Sequence, residues 1–561
     1  METVVTSRGL NRKILNLALP NILSNLTIPL LGMVDLALAG HLQDAYAIGG
    51  ITIATTIFNL IYWNFSFLRM GTTGLTAQAH GEGNRRAMGR NLLQSLFIGF
   101  VAGILIILMQ VPLRDLTLAL MNPDPLLSKY VTIYYNIVIW GAPASLCSYA
   151  LNGWLLGMQN TWWPMIVSIA TNIINIIISA SLVIGYNSGI DGIATGTLCA
   201  QYMGAILLGL GAFFLFIKTK KVELPTSLTH LKRGLKRYFG TNINILLRTM
   251  LLALVSVFFT YAGTQQGALI LAANALLYQF FTLFSYFIDG FAFAAEAVVG
   301  HFFGMKDRKH LNLAIRKLIT WGFFLALATS LIYFIGSDLL LNILTDKAEV
   351  IAKAKEYIFW VFILPFTGYI AFLYDGIFIG VTATRSMLLS MFCAVVVFFM
   401  LYFFLPIANK NHALWAAFVT YLAIRGVMQI LISKRLEGIG RPFLSDYFIS
   451  VGSTNLSNEK EIRAIISKEW KKAEFSDFYQ TEDINGSGKM YLNSVIRIRD
   501  KRPLEELIVV CKKIEKEAGR RINTSEVALD LDIVMEDKTI LREKDYNRSY
   551  FQSGYQQLTT H

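Results

Sequence analysis

Twelve apolar segments, each about twenty residues or longer, recur between residues 14 and 433: 14–38, 46–79, 91–112, 128–156, 161–185, 191–217, 240–263, 268–300, 312–335, 354–380, 385–406 and 412–433. A bilayer core takes about 20 apolar residues per helix, and backbone polar groups in lipid must be satisfied within the element that carries them. The chain is therefore expected to be an all-α polytopic membrane protein over this stretch. The segments beginning near 46 and 268 exceed one perpendicular crossing and must tilt or project. Composition changes abruptly near Leu444: residues 1–443 hold 31 Lys+Arg and 17 Asp+Glu, whereas residues 444–561 hold 19 and 20. The last 118 residues thus read as a soluble domain, and the formal charge of +13 belongs to the membrane part.

Those bases lie in short loops between apolar spans, which sets topology and argues against nucleic-acid binding. With the N-terminus inside, Arg85, Arg86 and Arg90, the cluster from Lys218 to Arg237, and Lys306, Arg308 and Lys309 all fall in cytoplasmic loops. Acids such as Asp115, Asp124, Asp338 and Asp346 fall in the opposite ones. Both termini are expected in the cytoplasm, with the protein multi-pass in the plasma (inner) membrane. The first apolar stretch contains Pro20, Pro29 and Asp35 without a clear cleavage site, so it reads as a retained span.

A constant shift of 223 residues superposes Gly81 on Gly304, Asn152 on Asp375, Gly153 on Gly376, Gly157 on Gly380 and Thr161 on Thr384. Six spans per repeat is an even number, so the repeats enter the membrane in the same sense. The expected organisation is an N-lobe at 1–217, a basic linker at 218–239, a C-lobe at 240–443 and the soluble domain at 444–561. Two lobes across a central cavity is an alternating-access architecture.

Ionisable groups inside spans are costly, so each is a candidate site with packing as the alternative. Asp35 lies six residues beyond Pro29 in span 1; it reads either as an interfacial acid or as a carboxylate that exchanges a proton or binds Na⁺, and intramembrane cost favours the second. Span 5 carries Ser168, Asn172, Asn175 and Ser179 along one helical face, as helix glue or as part of a cation pocket. The second half holds Arg248 in span 7, Asp289 and Glu296 in span 8, and Asp375 in span 10. Arg248 is expected to neutralise Asp289 or Glu296, in a salt bridge or in a relay or substrate role. Arg69 and Arg425 read as snorkelling or pairing at span ends. Aromatics crowd spans 2 and 8, some able to form a wall for flat cations.

At these residues the sequence resembles the multidrug and toxic compound extrusion (MATE) family, in its DNA-damage-inducible-F branch. The resemblance rests on ALPNILSNLTIPLLGMVDLALAGHL, NFSFLRMGTTGLTAQAHGEGN, WGAPASLCSYALNGWLLGMQNT and LAANALLYQFFTLFSYFIDGFAFAAEAVVGH. It implies V-shaped lobes and a monomeric antiporter that needs no cofactor beyond H⁺ or Na⁺ and exports small organic, cationic or amphipathic compounds. By resemblance the cation site comprises Asp35, Asn152, Asn175 and Thr197; where many members have a second acid, this chain has Ser179. Two alternatives stand beside it. A lipid-linked saccharide flippase would want a strongly basic cavity, and a pterin- or folate-related exporter would use the tail to sense cargo.

The tail reads as strand, helix, strand, strand, helix, strand, a ferredoxin-like α+β order. In VALDLDIV, Asp530 and Asp532 point the same way on a strand, as solvated acids or as joint Mg²⁺ ligands. VGSTNLS, FYQTED, YLNSVI, EAGRR and LDLDIV resemble hydroxymethyldihydropterin pyrophosphokinase. The resemblance implies Mg²⁺ at Asp530 and Asp532, ATP as donor, a pterin pocket at Thr481, Tyr491 and Asn493, and phosphate contacts from Arg520 or Arg521. The family's arginine before the first aspartate is Val527 here, and its nucleotide-side histidine and tryptophan have no counterpart. A degenerate or regulatory domain is therefore expected ahead of an active kinase.

Overall fold

The computed structural model describes residues 7–40, 45–121, 123–219, 221–225, 234–406, 409–454, 459–482, 490–502, 504–519, 529–537 and 539–559; the side chains of residues 28–37, 45, 120 and 121 also lie outside the described set. The chain divides into two compact units, Met1–Leu436 and Glu437–His561.

Ten helices of the first unit, among the described residues, are long and apolar enough to cross a bilayer, and they answer to ten of the twelve expected spans. The other two correspond to the helix Ser7–Gly40 (span 1) and to the helices Pro125–Val138 and Ala142–Gly157 (span 4). Span 4 is interrupted by a 3-10 turn at Ile139–Gly141 just ahead of Pro143. Proline lacks a backbone donor and disfavours helical geometry in the residue before it, which accounts for a break at that point. Span 2 is likewise split into Ala45–Asn64 and Phe67–Gly81. The outer faces are apolar: Ile184 is 71% exposed, Ile335 81% and Phe404 82%. Apolar surface on that scale suits lipid and not water.

The second unit is a sheet of six strands: β1 (Ser445–Ser453), β2 (Glu474–Phe475), β3 (Tyr479–Glu482), β4 (Met490–Asp500), β5 (Asp530–Glu536) and β6 (Thr539–Ile540). Its order is β2-β4-β1-β5-β6, with β3 also on β4, and every pairing is antiparallel. With β2 and β3 taken as one edge strand, this is the expected ferredoxin-like order. That edge is expected as one strand and is found as two, because Ser476 turns its hydroxyl back to accept from the Val495 N–H at 2.9 Å. Helices Glu459–Glu469 and Leu504–Glu517 cover one face through Ile462, Ile466, Leu507 and Cys511. The other face, at Phe448, Val495 and Val534, is closed by Tyr550 and Phe551 of the helix Ser549–Thr559, a layer the sequence reading left unassigned.

In the first unit the 223-residue repeat is carried by the backbone. A Cβ on Gly157 would sit 2.8 Å from the Thr73 carbonyl oxygen, and one on Gly380 would sit 2.9 Å from that of Glu296. Gly153 faces the Arg69 carbonyl and Gly376 that of Ala292, again at equivalent positions. Span 4 therefore meets span 2 as span 10 meets span 8. Asn84 and Asp307 both cap a following helix, accepting from the N–H of Ala87 and of His310 at 3.0 Å. The turns also repeat: φ is +65° at Gly83 and +56° at Lys306, and +61° at Gln159 and +56° at Thr382. Glycine adopts that region without steric cost, so Gly83 suits its turn, while Lys306 holds the equivalent turn without a glycine.

The halves meet where spans 2 and 8 run together. Gly81 faces the His301 carbonyl, and Gly304 faces that of Gln78. Gln78 Nε2 donates to the Gly380 carbonyl at 2.8 Å, and Arg237 Nη2 donates to Gln78 Oε1 at 2.6 Å. Small residues that bring backbones together, reinforced by a few polar links, are the usual means of joining helices in lipid. Replacing Gly by Ala in an open helix position stabilises by about 0.8–1.0 kcal/mol. Gly336→Ala, with open space around it, should hold or raise the thermal midpoint in detergent, whereas Gly376→Ala should lower it; equal responses would contradict the packing.

Candidate functional site

Two cavities lie in the membrane part, one lined mainly by each half of the repeat. In the first half a cavity of about 480 Å³ is lined by Asn152, Asn175 and Thr197, together with Ser24, Tyr62, Arg69 and Phe293. Three of the four residues expected to form a cation site thus share one space. The fourth, Asp35, lies on the span 1 helix with its side chain outside the described residues. The polar stripe of span 5 divides in two. Ser168 meets the Thr27 hydroxyl at 3.3 Å and Asn172 Nδ2 donates to the Thr27 carbonyl at 3.3 Å, tying span 5 to span 1. Asn175 Oδ1 accepts from Ser179 Oγ at 2.8 Å, and both residues are buried. Gly196 packs against Ser179, so a larger side chain at 179 would have to displace span 6. Thr197 Oγ1 donates to the Ile193 carbonyl at 3.1 Å while remaining on the cavity wall.

In the second half a cavity of about 270 Å³ is lined by Arg248, Asp289, Glu296, Asp375 and Arg425 among aromatic walls that include Tyr278, Phe281, Phe372 and Phe418. The four candidates expected in the second half, Arg248, Asp289, Glu296 and Asp375, thus line one space, but the charge pairing differs from the expected one. Arg248 binds Asp375, not Asp289 or Glu296, and Arg425 binds the same carboxylate oxygen. Gln429 Nε2 donates to the other oxygen at 2.6 Å. Spans 7, 10 and 12 all converge on Asp375, and linear order does not reveal that convergence. Arg425, expected at a span end, is 1% exposed.

Arg69, expected to snorkel or pair at a span end, pairs inside the membrane part. Its two terminal nitrogens meet the two oxygens of Glu296 at 3.1 and 3.2 Å, a bidentate pair joining the first half to the second. Its Cζ also lies 3.9 Å from the centroid of the Phe293 ring. Phe293 lines both cavities, Arg69 the first and Glu296 the second, so these three side chains form the partition. A signal for this pair was available. Adding 223 to 69 gives 292, one helical turn from Glu296, and equivalent faces of spans 2 and 8 meet along the seam.

In the tail, Asn493 on β4 lies opposite Gly452 on β1, and Gly452 lies opposite Asp530 on β5. Thr481 lies opposite Tyr491 and its hydroxyl accepts from Asn493 Nδ2 at 2.7 Å. By strand alternation Thr481, Tyr491, Asn493, Asp530 and Asp532 share one face. Arg520 and Arg521 lie outside the described residues. Asp532 pairs with Arg542 Nη1 at 2.5 Å. Burial first, then the neighbouring Asp530, holds its carboxyl above the usual range despite that arginine. Two carboxylates suffice for Mg²⁺ when phosphate and water oxygens complete the shell, but one of this pair is already neutralised, so the site as it stands suits a cation poorly. Among the described residues no group of three or more His, Cys, Asp or Glu could hold a metal.

Comparison with known proteins follows this division. Residues 20–181 and 244–404 both match the MatE family, and residues 448–559 match the 7,8-dihydro-6-hydroxymethylpterin-pyrophosphokinase (HPPK) family. The DNA damage-inducible protein F of Escherichia coli (strain K12) is 36% identical over 420 residues, covering 75% of this chain and 91% of that protein. A probable multidrug resistance protein NorM of Thermotoga maritima is 24% identical over 361 residues, covering 62% and 75%. A Vibrio cholerae MATE transporter solved in the bent form superposes with a TM-score of 0.68 at 18% identity, covering 76% of this chain and 96% of that one. The family model thus matches twice in the register of the repeat, and a relative more than one-third identical is covered almost end to end: the chain belongs to the MatE family and carries an HPPK domain behind its membrane part.

Proposed function

We propose that the membrane part is a secondary active multidrug exporter that works by alternating access, in the inner membrane with both termini cytoplasmic, as a monomer. The observation that carries this reading is the pair of intramembrane cavities, one in each half of a twofold repeat, parted by the Arg69–Glu296–Phe293 wall. A rearrangement of that wall would couple the lobes. The names of the relatives, multidrug resistance proteins among them, support the same reading. The substrates would be small organic compounds, cationic or amphipathic, taken against aromatic walls. H⁺ or Na⁺ would couple at Asp35, with Asn152, Asn175 and Thr197 around the same space. The second cavity holds the carboxylates of Asp289, Glu296 and Asp375 beside the guanidinium groups of Arg248 and Arg425, so it is not the strongly basic cavity that a flippase for pyrophosphate-linked sugars would want.

Asp35→Asn should abolish ion-driven drug efflux from everted vesicles at unchanged protein level. Comparing an imposed pH gradient with an imposed Na⁺ gradient in wild type identifies the ion, and unimpaired efflux in the mutant would overturn the assignment.

For the tail we propose a regulatory relative of the pyrophosphokinase that no longer catalyses transfer, because Arg542 is bound to Asp532, one of the two acids that Mg²⁺–ATP would require. Full-length protein given ATP, Mg²⁺ and hydroxymethyldihydropterin should release no pterin-dependent AMP; stoichiometric AMP would restore the kinase reading.

A further inference from the structure

The carboxylate of Asp375 is oversupplied with cation. Arg248 and Arg425 both close on one of its oxygens, and Gln429 donates to the other. Two guanidinium groups against one carboxylate leave a net positive charge, and neither arginine can shed its proton in a protein. Several donors remain over: Nε of Arg248, and Nε and Nη1 of Arg425, are buried without a hydrogen-bond partner. Both side chains line the cavity and both residues are more than nine-tenths buried, at 8% and 1% exposed. Buried guanidinium donors without acceptors are costly, and that cost is relieved by an anion entering the cavity.

The opposite charge is present in the same space. Glu296 is matched by Arg69, but Asp289 forms no hydrogen bond or ion pair with a described residue, although it faces the cavity. The second cavity therefore presents an anion-seeking end at Arg248 and Arg425, a cation-seeking end at Asp289, and rings between them from Phe281, Phe372 and Phe418.

We propose that this cavity is an anion-docking substrate site, with Arg248 and Arg425 taking the carboxylate or sulfonate of an amphoteric aromatic compound whose cationic end faces Asp289. The proposal rests on the exporter reading and narrows its substrates from cations to zwitterions at this site. It also makes Asp375 an anchor for two arginines and not a binding place for the coupling ion.

Rhodamine B, a zwitterion, and its ethyl ester, a cation with the same ring system, provide the test in vesicles holding the full-length protein. Wild type should export the acid faster than the ester. Arg248→Gln should reduce the acid-to-ester rate ratio about tenfold or more, as expected when a site built for a polar group loses its partner. Arg248→Lys keeps the charge and should hold the ratio within about threefold of wild type, which separates docking from misfolding. A ratio unchanged in Arg248→Gln, or lowered equally in Arg248→Lys, overturns the proposal. Failure of wild type to export either dye under any ion gradient overturns the exporter reading itself, and this one with it.

Discussion

The ion pair of Arg69 with Glu296 is the interaction on which the arrangement of the membrane part depends. It crosses between the two repeats, it is bidentate, and its carboxylate is almost fully removed from solvent. Taking two charges out of water costs several kcal/mol per ion, and close bidentate geometry offsets that only while both partners stay in place. Such a pair is a poor source of net stability but a strict condition on geometry. It holds while spans 2 and 8 keep their register and fails steeply when they slide. The glycines around it allow that register, since Gly153, Gly157, Gly376 and Gly380 bring spans 4 and 10 against the carbonyl rows of spans 2 and 8.

This makes the seam suited to two discrete states. Packed backbones with small side chains have no graded way to separate, so a change in one lobe must either leave the pair intact or break it. The first cavity lies on one side of the partition and the second on the other. A displacement of the wall from either cavity is therefore felt in the other, which is what coupling between two sites requires. The tail is a separate fold in which strand register alone brings Asn493 and Asp530 to either side of Gly452.

Much of this could be read from the sequence, for identifiable reasons. Spans are legible because lipid demands long apolar runs, and the repeat is legible because Gly81 and Gly304, or Gly157 and Gly380, stand where no side chain fits. The βαββαβ order of the tail is legible because its strands alternate. The pairing of buried charges was not. Sequence proximity matches Arg248 with acids in the next span, whereas it reaches Asp375, because helix order in sequence says nothing about which helix faces meet. Arginine usually lies at span ends, which is where the sequence alone puts Arg69 and Arg425; both are instead held inside by carboxylates from distant spans. Lys306 and Thr382 hid their turns, since only the equivalent Gly83 carries a residue that advertises a left-handed backbone.

A latch between the two repeats at Arg69 and Glu296 is read out by the distance between spin labels at Glu82 and Lys309, exposed positions beside the two sides of the seam, in a background without the four native cysteines. Wild type is predicted to show one short distance in the absence of an ion gradient, and Glu296→Gln to add a second, longer population. A distribution unchanged by Glu296→Gln would contradict the latch.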